Sequence, residues 1–154
     1  MPAAFRIRRA MPADLDALVA LERAAFTTDH LSQRQYRRHL RSDSAAVLAA
    51  VDGSGLLGKA VVFFRRRSDI ARLYSIAVAD AARGRGLGQA LLTAAERIAS
   101  RRGARRMRLE VRQDNAAAIR LYERKGYRCF SAYPRFYEDG ADAWRYEKAL
   151  RAEG

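Results

Sequence analysis

The chain is short of the residues that staple or decorate small folds. It has one cysteine, Cys129, so an internal disulfide is excluded. Its two histidines, His30 and His39, have no metal-ligand spacing, and no metal is expected. Lysine occurs only at 59, 125 and 148, although the net charge is +13, so arginine carries the excess. No apolar run approaches the roughly 18–20 residues of a membrane helix. The opening MPAAFRIRRA lacks an apolar stretch of signal-peptide length. A cytoplasmic soluble protein with no membrane partner is the simplest expectation. There is no GxxxxGK[ST], which excludes a P-loop NTPase, and no repeat, linker or low-complexity segment.

What is present suits one folded domain over residues 1–154. A chain of this length buries roughly 68–70% of its extended surface. The hydrophobic fraction is 49% and is spread along the chain, which argues against disorder. The positive charge has two readings. It can attract anions such as nucleic acid, an acidic peptide or a phosphorylated cofactor. It can also be compositional, since an Arg- and Ala-rich chain is what a GC-rich genome tends to encode. No aromatic-basic stacking pattern accompanies the charge, so a nucleic-acid partner is not expected from it.

Periodicity and turn signals divide the chain. Phe5 to Arg9 alternates as a strand. Met11-Pro12-Ala13-Asp14 opens a helix that buries Leu15, Leu18, Val19 and Ala25/Phe26. Thr27 to Leu31 is a break, and Ser32 caps a basic helix, Gln33 to Leu40. Strands follow at Ala45–Val51 and Leu56–Arg65, joined by the turn Asp52-Gly53-Ser54-Gly55, and then at Ile70–Ala79. A helix from Leu87 to Arg102 stops at Gly103. Arg105 to Arg112 alternates Met107, Leu109, Val111 against Arg108, Glu110, Arg112. Asp114-Asn115 caps a helix, Ala116–Lys125, and strands at Tyr127–Tyr133 and Asp142–Leu150 finish the chain around the aromatic connection Pro134–Asp139. The pattern is one mixed α/β sheet with helices on both faces.

The stretch from Leu73 to Leu92 organises the rest. An apolar strand, LYSIAVA, runs into Arg83-Gly84-Arg85-Gly86-Leu87-Gly88 and then into a helix whose apolar stripe is Leu87, Leu91, Ala94 and Ile98. Glycines let backbone approach a ligand. The first N–H groups of a helix have no internal partner and lie at the positive end of its dipole. Arg83 and Arg85 add guanidinium forks suited to phosphate. The site reads as a pyrophosphate cradle. Gly84-x-Gly86-x-Gly88 does not have dinucleotide-fold spacing.

Arg83, Gly86 and Gly88 spell R-x-x-G-x-G, which resembles the acetyl-CoA loop of the GNAT family of N-acetyltransferases. LEVRQDNAAAIRLYERKGY, Leu109 to Tyr127, is similar to that family's strand, Asn-capped helix, Leu-Tyr and Gly-Phe/Tyr pattern. SIAV before the loop, IRRAMPADLDAL at the start and YPRFYEDGADAWRYEKAL at the end also resemble it. Within the family the likeness is to the RimI type, the ribosomal-protein alanine N-acetyltransferases, although residues 27–44 do not match that type's acceptor region clearly.

The resemblance implies a GNAT-like fold: a mostly antiparallel mixed sheet in which two central parallel strands, Ile70–Ala79 and Arg105–Arg112, splay apart. It implies acetyl-CoA as co-substrate, held along Ile76, Ala77 and Val78, by the amides of Arg83, Gly84, Arg85, Gly86, Leu87 and Gly88, and beside Asn115. Asn115 also reads as a plain helix N-cap, and one residue can do both. The same resemblance assigns Glu110 as base, through water, and Tyr122 as acid. From the residues alone, Glu110 is also a solvated strand carboxylate, and Tyr122 a core tyrosine with a satisfied hydroxyl. Arg108 and Arg112 would favour the charged form of Glu110 if close, which is unhelpful for a base.

Cys129 reads as a buried small hydrophobe, His30 and His39 as surface decoration. Tyr133, Phe136 and Tyr137 wall an acceptor cleft or pack together. The basic helix Gln33–Arg41 is a solvated face or steers an acidic acceptor. The leading expectation is direct acetyl transfer to a primary amine, a protein or peptide N-terminal α-amine favoured, by a monomer or homodimer. The alternatives are a small-molecule amine N-acetyltransferase, a CoA-binding sensor without turnover, and a basic nucleic-acid-binding protein.

Overall fold

The computed structural model describes residues 4–26 and 29–151. Thr27 and Thr28, within the expected break, lie outside the described residues. The strands are β1 (Arg6–Arg9), β2 (Ala45–Asp52), β3 (Gly55–Phe64), β4 (Ile70–Val78), β5 (Arg106–Arg112), β6 (Arg128–Tyr133) and β7 (Ala143–Ala149). The helices are α1 (Leu15–Ala25), α2 (Gln33–Arg41), α3 (Leu87–Arg101) and α4 (Ala116–Arg124). Pro12–Asp14, expected as the first turn of α1, is a 3-10 turn. It is tied down where Asp14 accepts from the Met11 amide and pairs with Arg8 at 2.7 Å.

All seven strands form one sheet in the order β1-β2-β3-β4-β5-β7-β6. Every neighbouring pair is antiparallel except β4–β5, which is parallel. Helices α1 and α2 cover one face, with Leu18, Leu31 and Tyr36 on Val47 and Val61. Helices α3 and α4 cover the other, with Leu91, Leu92, Ala95 and Tyr122 on Ala46, Leu48, Leu73, Met107 and Leu109. β2 lies between both layers and is buried almost throughout. Its small alternating side chains let helices pack close on both sides. β5 alternates because only its Met107–Leu109–Val111 side meets the α3 layer.

Two expectations fail here. Cys129 is exposed. Its strand β6 is the sheet edge beside β7 and is exposed at every residue, because no helix reaches over it. In α1 the buried positions are Leu18, Leu21 and Glu22, while Ala25 is exposed. The burial of Glu22 departs from the sequence pattern, in which a carboxylate on an apolar stripe reads as an exception. It accepts from Lys59 Nζ at 2.8 Å, the Tyr36 hydroxyl at 2.5 Å and the Leu31 amide at 2.8 Å. Lys59 also donates to Ser75 Oγ at 2.5 Å. Burial lowers the Lys59 pKa while the Glu22 charge opposes that shift. Buried charge persists only when paired and hydrogen-bonded, as here. The network pins α1, α2 and the segment between them to β3 and β4.

Candidate active site

The parallel pairing of β4 and β5 is short. It runs from Ile70↔Arg106 to Leu73↔Leu109 and stops. On the other edge of β4, Val62 opposes Leu73 and Val61 opposes Ser75, so Tyr74 is an extra residue, a β-bulge. A bulge bends its strand. Beyond it β4 follows β3, while β5 follows β7 through Arg112↔Ala143. The strands part and leave a cleft between residues 74–78 and 110–112.

Backbone polarity in that cleft follows from one bond. The Ala79 amide donates to Leu57 O at 2.8 Å, toward β3. Residues alternate along a strand, so Ala77 also addresses β3, whereas Ile76 and Val78 turn their amide and carbonyl groups to the cleft. Unpaired backbone groups of this kind call for a partner. The side chain of Ala77 is buried on the α1 face, across from Lys59.

The glycine-rich loop closes one end of the cleft. Gly84 (φ 84°) and Gly86 (φ 78°) both adopt left-handed backbone, which a side chain would strain. A Cβ at either would meet nothing within 4 Å, so the space before α3 is open. Gly86 is the N-cap of α3 and no side chain caps the helix, so the loop leaves its first N–H groups facing that space. The two arginines do not point freely. Arg83 pairs with Asp80 at 3.1 Å on the exposed turn, and Arg85 with Asp52 at 3.2 Å. Any anion drawn to these guanidiniums would have to compete with those carboxylates. Asn115 caps α4 through the Ala118 amide at 3.2 Å and is otherwise exposed.

Tyr122 lies under the cleft on α4, buried edge-on against Tyr127. The other core tyrosines are satisfied: Tyr36 donates to Glu22, Tyr127 to Glu96 and Tyr146 to Glu123. The Tyr122 hydroxyl has no hydrogen-bond partner among the described residues. The hydroxyl is not one of the fully enclosed polar atoms, so it keeps access to solvent and is free to meet a ligand. Burial raises its pKa, and the neighbouring Tyr137 adds to the rise.

Glu110 faces the α1 side of the cleft with its side chain 8% exposed. Its partners are not those expected. Arg108 is taken by Glu147 at 3.0 Å, and Arg112 by Asp114 and Asp139. Same-face neighbours two residues apart on a strand are farther than neighbours across strands. So Arg72 of β4 donates to Glu110 Oε1 through Nε at 2.8 Å and Nη2 at 2.6 Å, and Arg145 of β7 approaches Oε2 at 3.4 Å. Tyr137, from the loop after β6, stacks edge-on to Phe136, which stacks on Tyr133. Burial first, then the Glu110 charge, push the Tyr137 pKa up to about 12. Tyr137 thus bridges the regions of Glu110 and Tyr122. Sequence reading named it only as a wall residue; it missed Arg72 and Arg145, whose approach no spacing along the chain encodes.

A parallel pair split by a bulge, ending at an uncapped helix behind left-handed glycines, is the frame of an acyl-CoA-binding transferase. Residues 15–127 match the acetyltransferase (GNAT) family, and the chain belongs to it. It is 37% identical over 147 residues to a mycothiol acetyltransferase of Salinispora tropica, matching 86% of this chain and 48% of that protein. The chain therefore spans about half the length of that relative. It is 30% identical over 151 residues to an N-alpha-acetyltransferase of Sulfurisphaera tokodaii, with 91% of this chain and 90% of that one covered. Among solved structures, the ribosomal-protein-S18-alanine N-acetyltransferase of Escherichia coli superposes with a TM-score of 0.85 at 27% identity, covering 98% of this chain and 97% of that one. Within the family the chain is similar to the ribosomal-protein alanine N-acetyltransferases.

Proposed function

We propose that the chain acetylates the α-amine of a protein or peptide by direct transfer from acetyl-CoA. The observation that carries this reading is the split β4–β5 pair with one unpartnered tyrosine hydroxyl beneath it. The residues fit the cofactor. Ile76 and Val78 offer backbone groups to a pantetheine arm, and Ala77 sets their spacing. The uncapped start of α3, with the amides from Arg83 through Gly88, suits a pyrophosphate, and Arg85 can exchange Asp52 for it. The exposed side of Asn115 lies on the same rim as the start of α4.

Bound acetyl-CoA supplies a thioester open to attack and a thiol leaving group. The rest falls to side chains. Tyr122 keeps its proton across the neutral and alkaline range because burial raises its pKa, and it has no competing acceptor. It is suited to protonate the departing sulfur. Glu110, held in place by Arg72 and Arg145, is the carboxylate suited to take the amine proton through water. No cysteine–base pair faces the cleft, since Cys129 lies on the β6 edge with its thiol toward Ser131 O. That supports transfer within a ternary complex.

A carboxylate base favours the α-amine. Its pKa is about 7.7–8.0 against about 10.4 for lysine, so neutralising lysine takes roughly 3 kcal/mol more at pH 7. The likeness to two N-terminal acetyltransferases supports the same choice. The mycothiol acetyltransferase relative favours a small-molecule amine as the second reading. A free-thiol release assay with acetyl-CoA across N-terminal peptides, N-terminally blocked lysine peptides and small amines separates them. Turnover of blocked lysine peptides equal to unblocked ones would refute the α-amine preference. Turnover of small amines alone would establish the second reading.

A further inference from the structure

Folding gathers arginines at the end of the sheet opposite the cofactor loop. Three segments meet there. The Phe64 amide donates to Ser44 O at 2.8 Å, which sets the end of α2 beside the end of β3. Arg102 donates to Asp43 O and lies 4.3 Å over the Phe64 ring, which brings in the end of α3. The Arg105 amide donates to Asp69 O at 2.6 Å, which adds the turn between β3 and β4.

We propose that this end is a docking surface for the phosphate backbone of a nucleic-acid duplex. Arg34, Arg37, Arg38 and Arg41 line a groove of ≈ 460 Å³ on α2, a helix without an acidic residue. Arg65, Arg66 and Arg67 form the adjoining turn and are exposed. Among the described residues none of these seven makes an ion pair. At the cofactor end Arg83, Arg85 and Arg112 each face an aspartate. Only Asp43 and Asp69 bring opposing charge to the three segments.

The size and chemistry select the partner. From α2 across the sheet to α3 is about 20 Å, two helix–sheet spacings of about 10 Å. A duplex presents one charge per about 1.7 Å of axis with both strands counted, so roughly twelve phosphates fall within that length and those on the near side meet the arginines. Guanidinium forks match phosphate oxygens in pairs. A single strand would want exposed aromatic rings to stack on. Here Phe63 and Phe64 are half-buried, under His39 at 4.8 Å and under Arg102. A membrane surface would want an apolar anchor. The exposed large apolar residues, Met11, Phe130, Tyr133 and Trp144, belong to other parts of the fold. Along the chain these arginines form no nucleic-acid motif; three separate segments supply them.

The test is fluorescence anisotropy with a mixed-sequence RNA duplex of roughly 20 base pairs at about 0.05–0.2 M salt. Wild type is expected to bind in the range of about 10⁻⁴–10⁻⁶ M at physiological salt, weakening steeply as salt rises. R38Q/R41Q/R66Q should lose about 10²-fold in affinity and about three units of the log–log salt slope. R6Q/R23Q/R128Q removes the same charge from exposed sites elsewhere and should change binding far less. Melting temperature and acetyl-CoA affinity should hold in both variants. No duplex binding at the lowest salt overturns the proposal. So does equal loss in the two variants, which would mean net charge alone. So does tighter binding to a single strand, to poly-glutamate or to anionic vesicles than to the duplex.

Discussion

The lower and upper halves of the β4–β5 pair are made of the same two strands and do opposite work. Below Leu73↔Leu109 the strands are hydrogen-bonded, and Ala71, Leu73, Met107 and Leu109 are sealed against α3. Above it, one extra residue, Tyr74, turns β4 away and leaves backbone groups, Glu110 and the Tyr122 hydroxyl addressed to an opening. The lesson is that stability and function are separated here by register. The zipped half holds the strands at a fixed angle, and the open half borrows that rigidity to keep backbone groups and the Tyr122 hydroxyl without protein partners. Strain and unsatisfied groups concentrate where a ligand can relieve them.

Four experiments would break or sharpen that division. The largest effect is expected at the open end. Gly86→Val should abolish acetyl-CoA binding in calorimetry, because a branched side chain at φ 78° both strains the loop and fills the space before α3. Tight binding by this variant would remove the loop from the site.

At the zipped end, Leu109→Ala should cost about 2–5 kcal/mol of stability by chemical denaturation, as a fully buried leucine does. Its acetyl-CoA affinity should change little at temperatures where the variant is folded. A loss of affinity as large as the loss of stability would mean that the two halves are not separate.

Within the open half, Tyr122→Phe and Glu110→Gln should differ in their pH profiles. Tyr122→Phe should lower kcat/KM about 10²-fold or more, and persistently from pH 6.5 to 9.5, because the proton it withholds is needed throughout. Glu110→Gln should lose less and recover part of its activity in alkali, as the α-amine deprotonates without help. Wild-type rates for Tyr122→Phe would return that residue to the core. A flat deficit for Glu110→Gln would make Glu110, with Arg72 and Arg145, an acceptor anchor and not a base.

The smallest effect concerns stability near neutral pH on the α2 side. Burial, then Arg38, lowers the His39 pKa below its usual value of 6.5. The unfolded chain therefore binds the proton first. Stability should fall as pH drops below about 6.5 and stop falling once the folded form also titrates. His39→Gln should flatten this component of the melting temperature between pH 5 and 7; an unchanged slope would assign it to other groups.

Much of this was legible along the chain, and for physical reasons. Period-2 and period-3.6 patterns, the caps at Ser32 and Asn115, and the stops at Gly103 and Gly126 are local, so the strands and helices lie within a residue or two of expectation, apart from the start of α1. The glycine loop was legible because its glycines and the helix start after them are written in consecutive residues. Glu110 and Tyr122 came from family likeness, since a carboxylate on a strand and a tyrosine on an apolar stripe have ordinary structural readings.

Tertiary structure decided what depends on neighbours far apart in sequence. Tyr74 is a bulge only because β3 pairs on both sides of it. Folding brings Tyr36, Tyr127 and Tyr146 to Glu22, Glu96 and Glu123 on other segments, and brings no such partner to Tyr122 among the described residues. Glu110 meets Arg72 and Arg145 across strands, not the arginines beside it in sequence, and Cys129 is exposed because β7, not a helix, is its neighbour. Local free energy sets where strands and helices begin and end. Which polar groups are satisfied is settled by packing between segments tens of residues apart, and that pattern makes the cleft.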